Sequence, residues 1–219
     1  KYNINSQAAT GSGDGSQEPD FSRNTTWQGQ GSVAVFAGQG GIVSVQGTQN
    51  FDSLQFRSDG YALMGGMLQI APYEGTTGGV LVEAGLTATI ESGISGGGLR
   101  KTGAGSLVLT GRNDYSGKTE ISDGRLVAGA PDSLSSVSFH ELSGGALDLE
   151  SAPQHIGGLS GNAGEVRLGS ATLTVNQPSS AVFSGAFKGD AGSRLALRGT
   201  GELSLMNIED FAGSFDVDE

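Results

Sequence analysis

Only two histidines, His140 and His155, are available for acid–base or metal-binding chemistry in this chain. His140 and Glu141 begin a zinc-protease pattern, but that pattern needs a second histidine at the position of Gly144. The ligand pair cannot form, and we predict that His140 lies at the surface or at a corner of the fold. The chain also has no cysteine, which excludes disulfides, thiolate nucleophiles and Cys-based metal sites.

Two glycine-rich stretches have the spacing of functional motifs. Gly93–Gly97 matches the Gly-x-Ser-x-Gly elbow of hydrolases, with Ser95 as the nucleophile. That elbow joins a strand to a helix, however, and no helical periodicity follows Ser95. Gly11–Gly15 resembles one calcium-binding turn, whose affinity depends on tandem copies that share ligands. The sequence therefore predicts no catalytic residue, no metal site and no cofactor.

Pairs of carboxylates are a further source of acid–base chemistry, of the kind that polysaccharide-cleaving enzymes use. Alternating positions on a strand share one face, so two of the pairs have a permissible geometry. Such a groove also needs a basic residue, and the 12 lysines and arginines do not cluster along the sequence. We interpret the carboxylates as a solvated outer face. The pairs are Asp148/Glu150, Glu209/Asp210 and Asp216/Asp218.

Exposed aromatic rings would mark a surface that binds sugars or proteins. Tyr61 and Tyr115 lie in sequence frames that recur along the chain, so we predict that they occupy corner or core positions. Tyr73 lies in an insertion-like loop, residues 71–78, that has no counterpart in the repeats. It is the one candidate for a ligand-binding residue.

The elements that must position these residues are short strands. The 219 residues include 39 glycines and 5 prolines, which argues against a helical bundle. Apolar residues alternate in bursts of three to five residues bounded by Gly, Asn, Asp or Ser, which is the pattern of half-buried strands. The sequence predicts an all-β fold. Examples are Val33/Val35, Leu54/Phe56, Val80/Val82, Leu107/Leu109, Leu147/Leu149, Leu173/Val175 and Leu203/Leu205.

The charge of the chain limits its partners. With 12 Lys and Arg against 23 Asp and Glu, the net charge is −11 at pH 7. An acidic protein repels phosphate backbones and anionic lipids. We therefore expect no nucleic-acid partner.

Internal repeats indicate a stacked architecture. Residues 99–121 match residues 195–217 without a gap, with lead-ins near residues 88–96 and 181–189. A short strand with one apolar face cannot bury that face alone, so successive coils stack around a common core. We predict about nine coils of roughly 20 to 25 residues and a rod on the order of 40 Å long. Glycine suits the corners, and Asn113 and Asp114 suit them through hydrogen bonds from their side chains to the turn backbone.

Residues 98–126 resemble the autotransporter-associated β-strand repeat. The family pattern is Gly-x-Leu-x-Lys-x-Gly-x-Gly, an alternating Leu run, Gly-x-Asn-x-Tyr-x-Gly, then Thr-x-Ile and Gly-x-Leu, and nearly every position is met. The second copy departs from it at Leu197, Asn207, Glu209 and Phe215. Residues 27–68 are similar to the segment that commonly precedes such repeats.

The resemblance implies a right-handed parallel β-helix. We expect a leader or N-terminal cap over residues 1–24 and a β-helix over residues 25–219, with repeat copies near 88–126 and 181–217. We also expect the chain to be a piece of a longer protein, exported through the bacterial outer membrane by a C-terminal β-barrel translocator.

The implied function is non-enzymatic, at the bacterial cell surface or after secretion. The passenger would act in adhesion or self-association, or as the stalk that presents an adhesive region. Its partner would be a host surface protein, a glycan or a second copy bound at the β-helix flank. Two alternatives remain, namely the folding scaffold of a secreted hydrolase whose catalytic domain lies elsewhere and a polysaccharide-degrading β-helix enzyme.

Overall fold

The structure, a computed structural model, describes residues 2–3, 33–71 and 78–217. Every regular element in these residues is a β-strand, and none of them forms a helix that could cross a membrane. The predicted all-β fold is confirmed. The strands are β1 (Tyr2–Asn3), β2 (Val33–Phe36), β3 (Ile42–Phe51), β4 (Ser53–Phe56), β5 (Tyr61–Ile70), β6 (Gly78–Val82), β7 (Thr87–Ile90), β8 (Gly93–Gly96), β9 (Leu99–Thr102), β10 (Ser106–Leu109), β11 (Thr119–Ile121), β12 (Arg125–Ala128), β13 (Phe139–Leu142), β14 (Ala146–Asp148), β15 (Gln154–Ile156), β16 (Gly158–Gly161), β17 (Glu165–Arg167), β18 (Thr172–Asn176), β19 (Ala181–Lys188), β20 (Arg194–Arg198), β21 (Leu203–Asn207) and β22 (Ser214–Val217).

The strands form three parallel ladders, which are the three sides of a solenoid. The first side runs through β1, β2, β4, β6, β9, β11, β13, β16, the start of β19 and β21. The second side contains the first halves of β3 and β5, then β7, β10, β12, β14, β17 and the end of β19. The third side contains the second halves of β3 and β5 with β8, and later β15, β18, β20 and β22.

One passage around the three sides is one coil. We count coils 1 to 9 from the first-side strands β2, β4, β6, β9, β11, β13, β16, β19 and β21. From β2 to β21, paired residues on this side lie between 19 positions apart, for Glu141 and Ser160, and 26 positions apart, for Ser53 and Gly79. The predicted nine coils are confirmed. The longest step contains residues 72–77, which lie outside the described residues.

The core is a continuous stack of inward-facing apolar side chains from all three sides. Leu54, Val80, Leu107 and Leu147 are each fully buried. Aromatic rings extend this stack towards both ends. Phe36 stacks on Phe56 with centroids 4.5 Å apart, and near the other end Phe183, Phe187, Phe211 and Phe215 contact one another in sequence. Because each layer covers its neighbours, burial depends on stacking rather than on any one coil.

Tyr61 and Tyr115 are buried, so their predicted core positions are confirmed. The Tyr61 hydroxyl donates to the carbonyl oxygen of Ala37 at 2.7 Å. The Tyr115 hydroxyl lies 2.9 Å from Thr119 Oγ1, and burial raises the pKa of Tyr115 to about 12. A polar group in the core is stable only with a partner, and both hydroxyls have one.

The repeat copies lie on different sides of the solenoid. Leu99 begins β9 on the first side, whereas its counterpart Leu195 lies in β20 on the third side. Both side chains point into the core. A unit of one strand and one turn can therefore occupy different sides, because each side requires only alternating apolar and polar residues followed by a corner.

The Lys101 side chain is buried at the corner that follows β9. Its ammonium donates to the carbonyl oxygens of Thr102 at 2.9 Å, Gly103 at 2.6 Å and Asp123 at 3.2 Å. These bonds use all three N–H groups and join coils 4 and 5. Burial lowers the pKa of Lys101 to about 8, an effect that the Asp123 carboxylate opposes.

We expect the protein to become more stable as pH rises through this range. The folded pKa lies below that of an unfolded lysine, so the unfolded chain binds more protons between the two values, and the free energy of unfolding increases with pH. Between about pH 7.5 and about pH 9.5 the gain is about 2 kcal/mol. Urea denaturation at the two pH values measures it. Lys101→Met should lack the increase, and an equal increase in that variant would contradict the assignment.

Candidate binding cleft

The third side of the solenoid is interrupted at coils 4 and 5. Between β8 in coil 3 and β15 in coil 6, residues 110–118 and 129–138 pass along this side without forming a strand. The first of these loops still follows β8, since the backbone N–H groups of Asp114 and Ser116 donate to the carbonyl oxygens of Ile94 and Gly96. The second loop is joined to the first through the side chains of Asn113 and Ser135, and a cleft lies along it.

Buried amide side chains replace the missing strands. Asn113 accepts a hydrogen bond from the backbone of Ile94 at 2.7 Å and donates to the carbonyl oxygen of Ser133 at 2.5 Å. Gln154 accepts from the backbone of Leu134 and donates to the carbonyl oxygen of Ala130. The expected hydrogen bonding of Asn113 is confirmed in kind, but its partners lie in the neighbouring coils rather than in its own turn.

The cleft has a volume of about 770 Å³ and mixed walls. Its residues come from four successive coils. Coils spaced about 4.8 Å apart give it a length of roughly 14 Å along the rod. The polar lining is Thr110, Arg112, Asn113, Asp132, Ser136, His155, Thr174 and Asn176, and the apolar lining is Pro131, Leu134, Val137 and Ile156.

His155 and Asp132 form a pair on the cleft wall. His155 Nδ1 lies 2.6 Å from Asp132 Oδ1, and both side chains are exposed. A carboxylate only accepts hydrogen bonds, so Nδ1 carries the proton. In the neutral ring Nε2 is then an acceptor. Asp132 adopts a left-handed backbone conformation, with φ of 52°, and its N–H donates to the carbonyl oxygen of Pro153, which fixes its position.

Comparison with known proteins places the first wall of the cleft in a repeat. Residues 99–128 match the passenger-associated-transport-repeat family. Over 129 residues the chain is 36% identical to the adhesin BmaC autotransporter of Brucella suis biovar 1 (strain 1330). Both similarities support an autotransporter passenger domain with repeats. The alignment covers 54% of this chain and 4% of that adhesin, and no solved structure matches the chain.

The passenger repeat explains why the cleft begins where it does. It comprises β9 to β12 and the loop of residues 110–118. In this loop Gly117 lies directly against Gly98, where a Cβ atom would collide with the backbone. The buried Tyr115, Thr119 and Ser138 hydroxyls form a chain of hydrogen bonds beneath it. The repeat motif therefore holds its third side by side-chain bonds together with two backbone bonds to β8, and this side lacks a strand.

A charge ladder covers the second side from the last strand of the passenger repeat onward. Asp148 accepts from Arg125 at 2.7 Å and lies 3.8 Å from Arg167. Glu165 pairs with Arg167 and, at 2.8 Å, with Lys188. The hydrogen bond from Arg167 lowers the pKa of Glu165, against the effect of burial. The ladder joins coils 5 to 8.

The sequence-based interpretation of Asp148 and of His140 needs correction, whereas Glu150, Glu209 and Asp210 are exposed as expected. Asp148 is buried beneath its arginine partners and is not part of a solvated face, although Asp148 and Glu150 do share a face, since both pair with Arg125. His140 is also fully buried, on the first side, and burial lowers its pKa to about 4. Its position within a strand, where its neighbours in the stack cover it, makes the expected surface position wrong.

The remaining candidates are not joined to the cleft. Ser95 lies on the third side in β8, and the next regular element is β9 rather than a helix. Within the described residues no group of three or more His, Cys, Asp or Glu side chains could hold a metal ion. Tyr73 and residues 11–15 lie outside the described residues. The cleft itself was missed because Arg112, Asp132, His155 and Thr174 are about one coil apart, and no local motif links them.

Proposed function

We propose that this passenger sequence acts as a non-enzymatic, adhesin-like rod at the bacterial cell surface or after secretion. The observation that carries the proposal is the 36% identity to an autotransporter adhesin over 129 residues. The full-length protein would include a β-barrel translocator, and the partner would be a host surface molecule bound at the flank of the solenoid. Residues 1–24 remain a predicted leader or cap.

The chemistry of the side chains supports binding rather than catalysis. A general acid in a sugar-cleaving site needs a raised pKa. Arg167 instead lowers the pKa of Glu165, and both Arg125 and Arg167 lie against Asp148. The charge ladder on the second side presents paired charges in a fixed row, which suits multivalent contact along a surface.

Adhesion can be tested with beads coated with the folded chain and applied to epithelial cell layers under flow. We expect retention severalfold above that of beads coated with the same chain after thermal unfolding. Equal retention of both preparations would contradict the proposal. Sedimentation velocity over a range of concentrations distinguishes binding to host cells from self-association. Association of the free chain, without retention of the coated beads on cells, would support self-association in place of host contact.

A further inference from the structure

We propose that the cleft on the third side binds an acidic saccharide, with Arg112 as the residue that recognises a sugar carboxylate. The proposal deepens the adhesive function and rests on it, since it names the class of ligand and the place where it binds.

The charge in the cleft favours an acidic ligand. The described part of the chain contains ten lysines and arginines, and nine of them contact a carboxylate or a backbone carbonyl oxygen. Arg112 is the exception within that part and is exposed in the cleft. A guanidinium presents paired N–H donors that match a carboxylate. In a chain of net charge −11, this is a local site for one negative group rather than for a polyanion.

Several groups that can bind hydroxyls line the cleft. Thr174 and Asn176 line the cleft, and His155 contributes Nε2, because its Nδ1 proton is held by Asp132. Thr110 Oγ1 is buried in the same wall and has no hydrogen-bond partner in the described structure. Donors and acceptors at several heights along the rod suit a ligand with hydroxyl groups along its length.

Part of the cleft lining is apolar. Val137 is 62% exposed at the cleft, beside Pro131 and Ile156. The carbon-bearing face of a sugar ring can cover such a surface while its hydroxyl edge meets the polar wall. A length of roughly 14 Å accommodates a short oligosaccharide that runs along the rod across successive coils.

A peptide is the less suitable occupant. Peptides that bind to β-structures usually pair with a free strand edge. Here the edge of β8 is occupied, because its Ile94 and Gly96 carbonyl groups accept from the first cleft loop. On the far side of the cleft β15 pairs with β18 at one edge, and the backbone on either side of β15 is bonded to the second cleft loop, since the Asp132 N–H donates to Pro153 and the Gly157 N–H donates to Ser138. The cleft therefore offers side chains, and these favour a ligand recognised through hydroxyl and carboxylate groups.

The test is titration calorimetry of the chain with a hyaluronan disaccharide, which carries one carboxylate, its carboxyl-reduced counterpart and a capped tripeptide with one acidic side chain. We expect binding of the acidic sugar only. Arg112→Gln should weaken it about tenfold, which is the effect of losing a hydrogen bond to a charged group. Arg57→Gln removes the same charge on another surface, where Arg57 pairs with Glu83, and should change the affinity by less than twofold.

Thr110→Val provides a variant that should fold. Since the hydroxyl has no partner, its removal should leave the melting temperature unchanged or raised, while the affinity falls severalfold. Absence of binding to the acidic sugar, or equal losses in Arg112→Gln and Arg57→Gln, would overturn the proposal. Tighter binding of the peptide would replace the saccharide by a protein ligand. Beads coated with Arg112→Gln should also be retained less well on cells. If they are retained at the wild-type level, the cleft is not the adhesive binding site, although the adhesive function stands.

Discussion

Gly124→Ala is expected to lower the free energy of unfolding by about 4 kcal/mol and the melting temperature by roughly 10 °C. Gly124 follows the corner between β11 and β12 with φ of 65°, a conformation that disfavours a side chain. An alanine Cβ would also overlap the carbonyl oxygens of Gly103 and Gly105 in the preceding coil and approach Lys101 Nζ to 2.8 Å. The backbone of that coil is held by its own ladder, so it cannot move away without loss of hydrogen bonds.

Gly85→Ala is the matched control for the collision. Gly85 has a similar backbone, with φ of 76°, but no atom lies within 4 Å of the position of its Cβ. Gly85→Ala should therefore lower the free energy of unfolding only by the cost of the left-handed backbone conformation, about 1 to 2 kcal/mol. Thermal and urea denaturation of the two variants measure the difference. Equal losses would show that coils at this corner are not in close contact.

The inward and outward positions of the strands could be predicted from the sequence, because they depend on local alternation. Leu107 and Leu109 face the core as their spacing indicates, and the Tyr115 position follows from its place in the repeat. No local sequence pattern indicates on which of the three sides of the solenoid a strand lies. Leu99 and Leu195 occupy matching places in two copies yet lie on different sides, because the coils between them vary in length.

The cleft could not be predicted for the same reason. Its side chains become neighbours through the sum of coil lengths, which range from 19 to 26 residues on the first side. An error of one residue in any coil would exchange inward and outward positions. Asp148 shows the effect on charge, since its arginine partners lie 23 positions before and 19 positions after it, at 125 and 167. Scattered charges in the sequence thus become a ladder.

Asn113→Ala is expected to destabilise the protein by about 3 kcal/mol. The Asn113 amide is buried and joins the backbone of coil 3 to that of coil 5, through Ile94 and Ser133. Its removal leaves one buried N–H and one buried carbonyl group without their partner, at about 1 to 3 kcal/mol each. The cleft lies beside the amide, and water that enters there would recover part of the loss. Urea denaturation measures the change, and Asn162→Ala, at an exposed residue, should change stability by less than about 0.5 kcal/mol.

Asn113→Asp separates the two hydrogen bonds. The aspartate oxygen can still accept from Ile94, but an ionised carboxylate would face the carbonyl oxygen of Ser133, to which Asn113 donates at 2.5 Å. The protonated form is favoured there, so the folded pKa lies above that of an unfolded aspartate. The folded chain then binds more protons between the two values, and the variant should lose stability as pH rises from about 4. If the variant is as stable at neutral pH as at pH 4, the Ser133 carbonyl oxygen does not need a hydrogen-bond donor at residue 113. The hydrogen bond that residue 113 accepts from the Ile94 N–H would then be sufficient to join the third side at coil 4.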